Sequence, residues 1–424
     1  MEKHLLSKST FIRGVQCLKS LYLNKNRPFL RDRLPKERWL VFRRGHEVGD
    51  LAQGLFPGGV NLKPGHPSAY KNAIRNTQEH ISHGYPVLYE AGFQHEEVLV
   101  FLDILVSSGS GWHAYEVKSS GAISDTYLMD AALQYYVIKG TDMDLQGISI
   151  IHIDKEYVLR GELDPGKLFR IVDVTNEAIS RQEYILAQII KEKEALNLKS
   201  SPLIEVGPHC RDPYDCDFIG HCWKNVKAAD SPDPESQLNF AAIEKHKGAL
   251  SGKIAFIKIL TMRPAIPMYQ GTRPYQEIAY GYALKFENQV TAKTFRGHEN
   301  PEIKLVNALK KDLEDIIHLI CLGNSYKIHQ IIEEMAELHD IYDLLNDGSE
   351  LLSIAEGDSL LRRIFEITGS DLALPSYTSD QVCAHHYLDE DEKYAEEIEN
   401  YARVSVVATE KLFYWIINTL NIRS

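Results

Sequence analysis

The stretch 102–134, LDILVSSGSGWHAYEVKSSGAISDTYLMDAALQ, most constrains what this chain can become. An apolar run leads to Asp103, a Gly/Ser turn follows, and a second run, WHAYEVK, carries Glu116 and Lys118. A helical pattern then presents Gln134. Side chains alternate along a strand, so Lys118, two residues after Glu116, lies on the same face. Two carboxylates on neighbouring strands can share Mg²⁺ or Mn²⁺, and a nearby amine can steady charge developing on phosphorus. A surface hairpin with solvated charges would carry the same residues.

Taken in order, the pattern predicts a helix from the Ser7/Ser9 cap to about Leu23, with Phe11, Val15, Leu18 and Tyr22 at core spacing. A second helix over 36–55 carries His46 and Glu47. Turn-rich FPGG and KPGHPS precede a helix near 69–83. Strands are expected at 86–93, 97–106 and 112–118, a helix at 125–139, and strands near 147–153 and 167–174. A long helix over 177–196 would bury Ile179, Tyr184, Ile185, Ala187, Ile189 and Ile190. The fold class is therefore α/β, with a mixed sheet flanked by helices.

No run of about 18 apolar residues occurs, and MEKHLLSKST lacks a long apolar core, so no membrane span or secretory signal is expected and a cytoplasmic location follows by default. The net charge of −12 argues against a general nucleic-acid coat. Residues 1–44, however, hold twelve Lys/Arg against three acids. A local basic face of that kind can meet phosphates, although a solvated helix surface has the same composition.

Cys17, Cys210, Cys216, Cys222, Cys321 and Cys383 are the six cysteines. Disulfides are disfavoured in a cytosolic chain. Three of the six fall within PHCRDPYDCDFIGHCW, a short Pro/Gly-containing loop that suggests metal or cluster ligation. Their gaps are wider than the usual zinc pairs, and Cys17 is the candidate fourth ligand. Zinc and buried thiols remain alternatives, and Cys321 and Cys383 sit among apolar residues as core candidates.

Asp103, the Glu116-Val117-Lys118 triplet and Gln134 resemble the core of the PD-(D/E)XK nucleases, in their RecB-like branch. The cysteines make the resemblance specific. Nucleases of the AddB and CRISPR-associated type place one cysteine before the core and three in a loop after it, holding a [4Fe–4S] cluster. Cys17 and Cys210/Cys216/Cys222 bracket residues 103–134 in that way. LSKSTFIRGVQCLKSLYL and GHEVGDLAQGLFPGGV also resemble an uncharacterised bacterial family opening LSKSxFxxGxQCxKxLYL. The resemblance implies Asp103, Glu116 and the Val117 carbonyl as metal ligands, and Lys118 and Gln134 as catalytic side chains. Many relatives add a ligand through a GxxxH histidine. Here that place after Gly45 holds Gly49, and His46 falls three positions early, with Glu47 as its rival.

The resemblance divides the chain into a nuclease domain over 1–225, a linker at 226–237 (within ADSPDPES and its flanks) and a second domain over 238–424. Strands near 253–260, 276–286 and 289–295, a helix at 302–316, a strand at 317–322 and a long tail helix over 390–420 suggest a ribonuclease-H-like fold. In the resembling family this domain is DnaQ-like, opening with a D-x-E strand and a proline-rich loop. The loop is present as PAIPMYQGTRPYQE, but Lys258 and Leu260 stand at the acidic places and Ser405 ends the late Tyr401 motif. A degenerate, inactive exonuclease-like domain is therefore expected. The acidic run DEDEKYAEEIE suits a solvated helix start, or contact with a basic partner.

The combined expectation is a Mg²⁺- or Mn²⁺-dependent DNA nuclease acting on single-stranded regions or free ends, beside a helicase or within a defence system. Tyr22, Trp39 and Phe42 are compatible with base stacking. The alternative is a non-catalytic DNA-binding or scaffold subunit.

Overall fold

The structure, a computed structural model, describes residues 5–33, 36–109, 111–224, 238–240, 253–314, 316–323, 325–335, 340–344, 359–375, 380–388 and 394–423. The chain divides into two compact units. One comprises 1–34, 42–157 and 161–227, the other 35–41, 158–160 and 228–424. The expected linker at 226–237 lies outside the described residues.

The first unit runs β1 (Leu6–Ser7), α1 (Lys8–Gln16), α2 (Leu18–Asn26), the part of α3 (Lys36–Ala52) from Phe42 onward, β2 (Val60–Asn61), α4 (Tyr70–Ser82), β3 (Val87–His95), β4 (Val98–Ser107), β5 (Trp112–Lys118) and α5 (Asp125–Lys139). It continues through β6 (Leu145–Ile153), α6 (Pro165–Leu168), β7 (Phe169–Asp173), α7 (Thr175–Ser180), α8 (Gln182–Leu196) and α9 (Ile219–Cys222). The strands form one mixed sheet in the order β2-β3-β4-β5-β6-β7, with β1 paired to β4. β3, β4 and β5 form an antiparallel meander, whereas β5 and β6 are parallel and joined through α5. Leu102, Leu105, Ala114, Leu133, Ile148 and Ile185 are fully buried in the core between sheet and helices.

Two helical expectations change. The helix expected to reach Leu23 breaks at Cys17, whose backbone is extended (φ −163°, ψ 114°) between α1 and α2. Val15 is exposed, whereas Tyr22 packs with Leu23 and Phe218 and is no stacking surface. The helix expected over 177–196 also divides, at Arg181, into α7 and α8. Its core face is a narrow stripe of Ile185, Gln188, Ile189, Glu192 and Ala195, while Ile179, Tyr184, Ala187 and Ile190 are exposed. A helix packed on neighbouring helices through one stripe, as α8 is on α1, α2 and α5, buries positions three and four apart.

The second unit comprises β8 (Ile254–Met262), β9 (Ile278–Phe286), β10 (Gln289–Thr294), α10 (Pro301–Asp312), β11 (His318–Cys321), α11 (Ser325–Met335), β12 (Asp340–Asp343), α12 (Ser359–Thr368), α13 (Asp380–Leu388) and α14 (Ala395–Arg423). The sheet order is β10-β9-β8-β11-β12, with an antiparallel β8–β9–β10 meander and β11 parallel to both β8 and β12. One face packs on α12, α13 and α14, the other on α10 and α11. Residues 389–393 of the acidic run lie outside the described residues. Both units are thus α/β, each a mixed sheet flanked by helices, as the expected nuclease-like fold classes require. Among the described residues, no helix is long and apolar enough to cross a membrane.

Candidate active site and cysteine cavity

The candidate site forms where two paired strands part. The β4–β5 ladder ends at Ile104↔Tyr115, so Asp103 and Glu116 are the next positions, in the fork between the strands. β1 pairs with β4 further along, at Leu6↔Val98 and Ser7↔Leu99, which delivers Lys8 to the same fork. The α1 start is fixed locally, because Thr10 Oγ1 accepts a hydrogen bond from the Ser7 amide at 2.7 Å.

Glu116 is buried, and both of its oxygens are engaged. Lys8 Nζ lies 2.6 Å from Oε1 and Lys118 Nζ 2.8 Å from the same oxygen. Gln134 Nε2 donates to Oε2 at 2.8 Å. The Val117 amide donates to Asp103 Oδ2 at 2.6 Å, so the backbone of one strand orients the carboxylate of the other. Lys118 is held further by Asp130 Oδ2 at 2.5 Å and lies 5.0 Å from the Tyr127 ring centroid. Asp130 Oδ1 and Gln134 Oε1 are buried and lack a hydrogen-bond partner.

The electrostatics follow from three carboxylates and two ammonium groups in a poorly solvated space. Burial, then the neighbouring Glu116, pushes the Asp103 pKa up to about 7 against the pull of Lys8, the Val117 amide and Lys118. Burial also opposes ionisation of Glu116, but Lys118 and Lys8 outweigh it and hold that carboxyl well below its ordinary range. Burial likewise opposes charge on both lysines, yet Glu116 keeps their pKa values above the ordinary lysine value.

Asp103, Glu116, Val117, Lys118 and Gln134 therefore come together. Among the described residues, no hydrogen bond or ion pair ties His46 to them. It is exposed on α3, two residues from the buried Val48 and so on the opposite side of that helix. Glu47 is also exposed and pairs with Arg43 at 3.0 Å. Lys8 and Asp130 are the residues that the motif reading missed. Asp130 was detectable, because it precedes Gln134 by one helical turn on α5. Lys8 gave no local signal. Several of the N-terminal basic residues make internal contacts, such as Arg13 with Asp217 at 2.6 Å and Arg43 with Glu47, so the stretch is not uniformly open to phosphates. Phe42 is exposed, while the Trp39 side chain lies outside the described residues.

Cys17, Cys210, Cys216 and Cys222 line one cavity with Ser20, Val206, His209 and Phe218. All four are free thiols, and burial raises the pKa of Cys17 and Cys222. The loop is tied to α1 and α2. Gln16 Nε2 donates to the carbonyls of His209 at 3.0 Å and Tyr214 at 2.7 Å, and Cys216 Sγ lies 3.2 Å from Ser20 Oγ. Among the described residues, no three Cys, His, Asp or Glu side chains are arranged to hold a single metal ion. Cys321 and Cys383 are buried in the second unit.

In the second unit α14 packs on β8, and Lys258 Nζ lies 5.9 Å from the Tyr401 ring centroid. Leu260 is buried, and Ser405 Oγ donates to the Tyr401 carbonyl at 2.8 Å. The residues standing at the expected acidic places are thus a lysine, a buried leucine and a self-satisfied serine.

A family model described as a domain of unknown function (DUF2779) matches residues 256–357. A search of the curated proteins finds no match. Among solved structures, the chain is similar to the family B DNA polymerase from the hyperthermophilic archaeon Pyrobaculum calidifontis, at 8% identity and a TM-score of 0.27. That alignment covers 40% of this chain and 25% of the polymerase.

Proposed function

We propose that the first unit is a divalent-cation-dependent deoxyribonuclease. The observation that carries this reading is the meeting of Asp103, Glu116, Lys118 and Gln134 in the fork between β4 and β5. Asp103, Glu116 and the Val117 carbonyl would hold Mg²⁺ or Mn²⁺, with water and a substrate phosphate completing the shell. The two unpartnered buried oxygens, Asp130 Oδ1 and Gln134 Oε1, fit a site that takes up a cation with its water. When bound, such an ion polarises a phosphoryl oxygen and acidifies a bound water.

The protein's own groups supply the remainder. Asp130 aims the Lys118 ammonium, which would steady charge on the phosphoryl oxygens. Gln134 fixes Glu116, and the Val117 amide fixes Asp103. Four thiols around one cavity suit a [4Fe–4S] cluster, which takes four thiolates. When bound, the cluster would join α1 and α2 to the loop over 207–222. DNA with a single-stranded region or free end is the substrate that the family resemblance suggests. The second unit would be an inactive exonuclease-like domain contributing DNA or partner contacts, with a helicase or defence protein as partner.

A non-catalytic DNA-binding or scaffold role is the second reading. It is favoured by the full engagement of Glu116, whose two oxygens already carry three donors. Cleavage of labelled single- and double-stranded DNA in Mn²⁺ separates the two. A nuclease loses activity in Lys118→Ala, whereas a scaffold is inert with or without the substitution.

A further inference from the structure

Lys8 and Lys118 share one oxygen of Glu116 but are not held alike. The Lys118 side chain is 14% exposed and pinned by a second carboxylate, Asp130. The Lys8 side chain is 28% exposed, and Glu116 is its one hydrogen-bonded partner among the described residues. Lys8 is therefore the removable member of the pair. Its amine also sits within the influence of Asp103, Glu116 and Asp130 together, the place where a divalent ion would balance the same three carboxylates. A metal ion at Glu116 repels both ammonium groups where solvent is scarce, and Lys8, unlike Lys118, has no second carboxylate bonded to it among the described residues to hold it in place.

We propose that Lys8 is a built-in counter-ion: its amine holds the cation position of the site, and a divalent metal enters only by displacing it. This rests on the nuclease reading above. It gives Lys8 a role apart from chemistry, because a side chain that competes with the metal sets the metal concentration at which the site fills. The chain direction supports such a role. Lys8 follows β1 at the first position of α1 with a part-exposed side chain, so its amine can move toward solvent while Ser7 and Thr10 keep the helix start in place.

Titration calorimetry with Mn²⁺ alone, on the anaerobically purified full chain, tests this. Lys8→Met should bind Mn²⁺ about tenfold more tightly than the natural chain, the size expected from removing one competing charge-assisted hydrogen bond. Lys8→Arg keeps the charge and should bind as weakly as the natural chain. Asp103→Asn should abolish the heat that these proteins share. Should Lys8→Met fail to fold by circular dichroism, Lys8→Gln takes its place, since it offers Glu116 a neutral donor. Equal or weaker binding by the uncharged variant, with binding still lost in Asp103→Asn, would overturn the counter-ion while leaving the site intact. No Mn²⁺ binding by either protein would remove the nuclease reading and the counter-ion together.

Discussion

Asp130 grips the Lys118 ammonium at 2.5 Å from the first half of α5, across from the strand that carries the lysine. Substituting Asp130→Asn keeps the shape and removes the charge that aims the amine. In the nuclease reading, cleavage in Mn²⁺ should fall about ten- to a hundredfold, as for other residues that support a metal site. The loss should appear in kcat with KM little changed, and the melting temperature should move only slightly. A rate equal to the natural chain's would show that Lys118 needs no aiming.

Glu116 is the group on which the fork depends for stability. Glu116→Ala leaves the Lys8 and Lys118 ammonium groups facing each other with one carboxylate fewer. Removing one partner of a buried charged set costs about 3 kcal/mol or more. Urea unfolding followed by circular dichroism should register that loss, while an exposed pair such as Arg43–Glu47 should give less than about 1 kcal/mol on Glu47→Ala.

The cysteine cavity predicts a pattern across six substitutions. Cys17→Ser, Cys210→Ser, Cys216→Ser and Cys222→Ser should each lower iron content and the absorbance near 400 nm expected of a cluster. Cys321→Ala and Cys383→Ala, buried in the second unit, should leave both unchanged. A colourless natural protein containing stoichiometric zinc would sink the cluster and keep the cavity.

Glu192 gives a pH dependence of stability. It is fully buried on α8, against Gly14 of α1, and burial pushes its pKa up to about 9 despite a hydrogen bond from Gln188. The folded chain therefore keeps a proton that the unfolded chain releases near the ordinary value of 4.5. Its stabilising contribution is complete below that value, declines as pH rises and is gone once pH passes about 9. Melting curves should show the natural chain losing stability between pH 5 and pH 9, with a shallower decline in Glu192→Gln. Parallel curves for the two proteins would refute this.

The strand–turn–strand–helix frame of the site was legible because it is written locally. Residue alternation put Glu116 and Lys118 on one face, and the Gly/Ser turn set β4 beside β5. Cys17 was chosen because the later cysteine loop lacked a fourth ligand, and the family resemblance gave the same bracketing, since spacing alone says nothing of which distant thiols meet. Lys8 was hidden for a related reason: 108 positions separate it from Glu116, and only the pairing of β1 with β4 brings it there. The break at Cys17 was illegible because the apolar pattern continues through it, while the contacts beside the break, from Gln16 to the His209 and Tyr214 carbonyls, reach residues far along the chain. Tertiary packing also overrode pattern on α7 and α8, where Ile179 and Ile190, at plausible core positions, point to solvent.

Helix α1 is nine residues long, about 14 Å of stiff rod. Lys8 opens it among the carboxylates, and Cys17 closes it at the thiol cavity. The amine at one end and the thiol at the other are therefore carried by a single rigid element, and neither can be repositioned along its axis without the other.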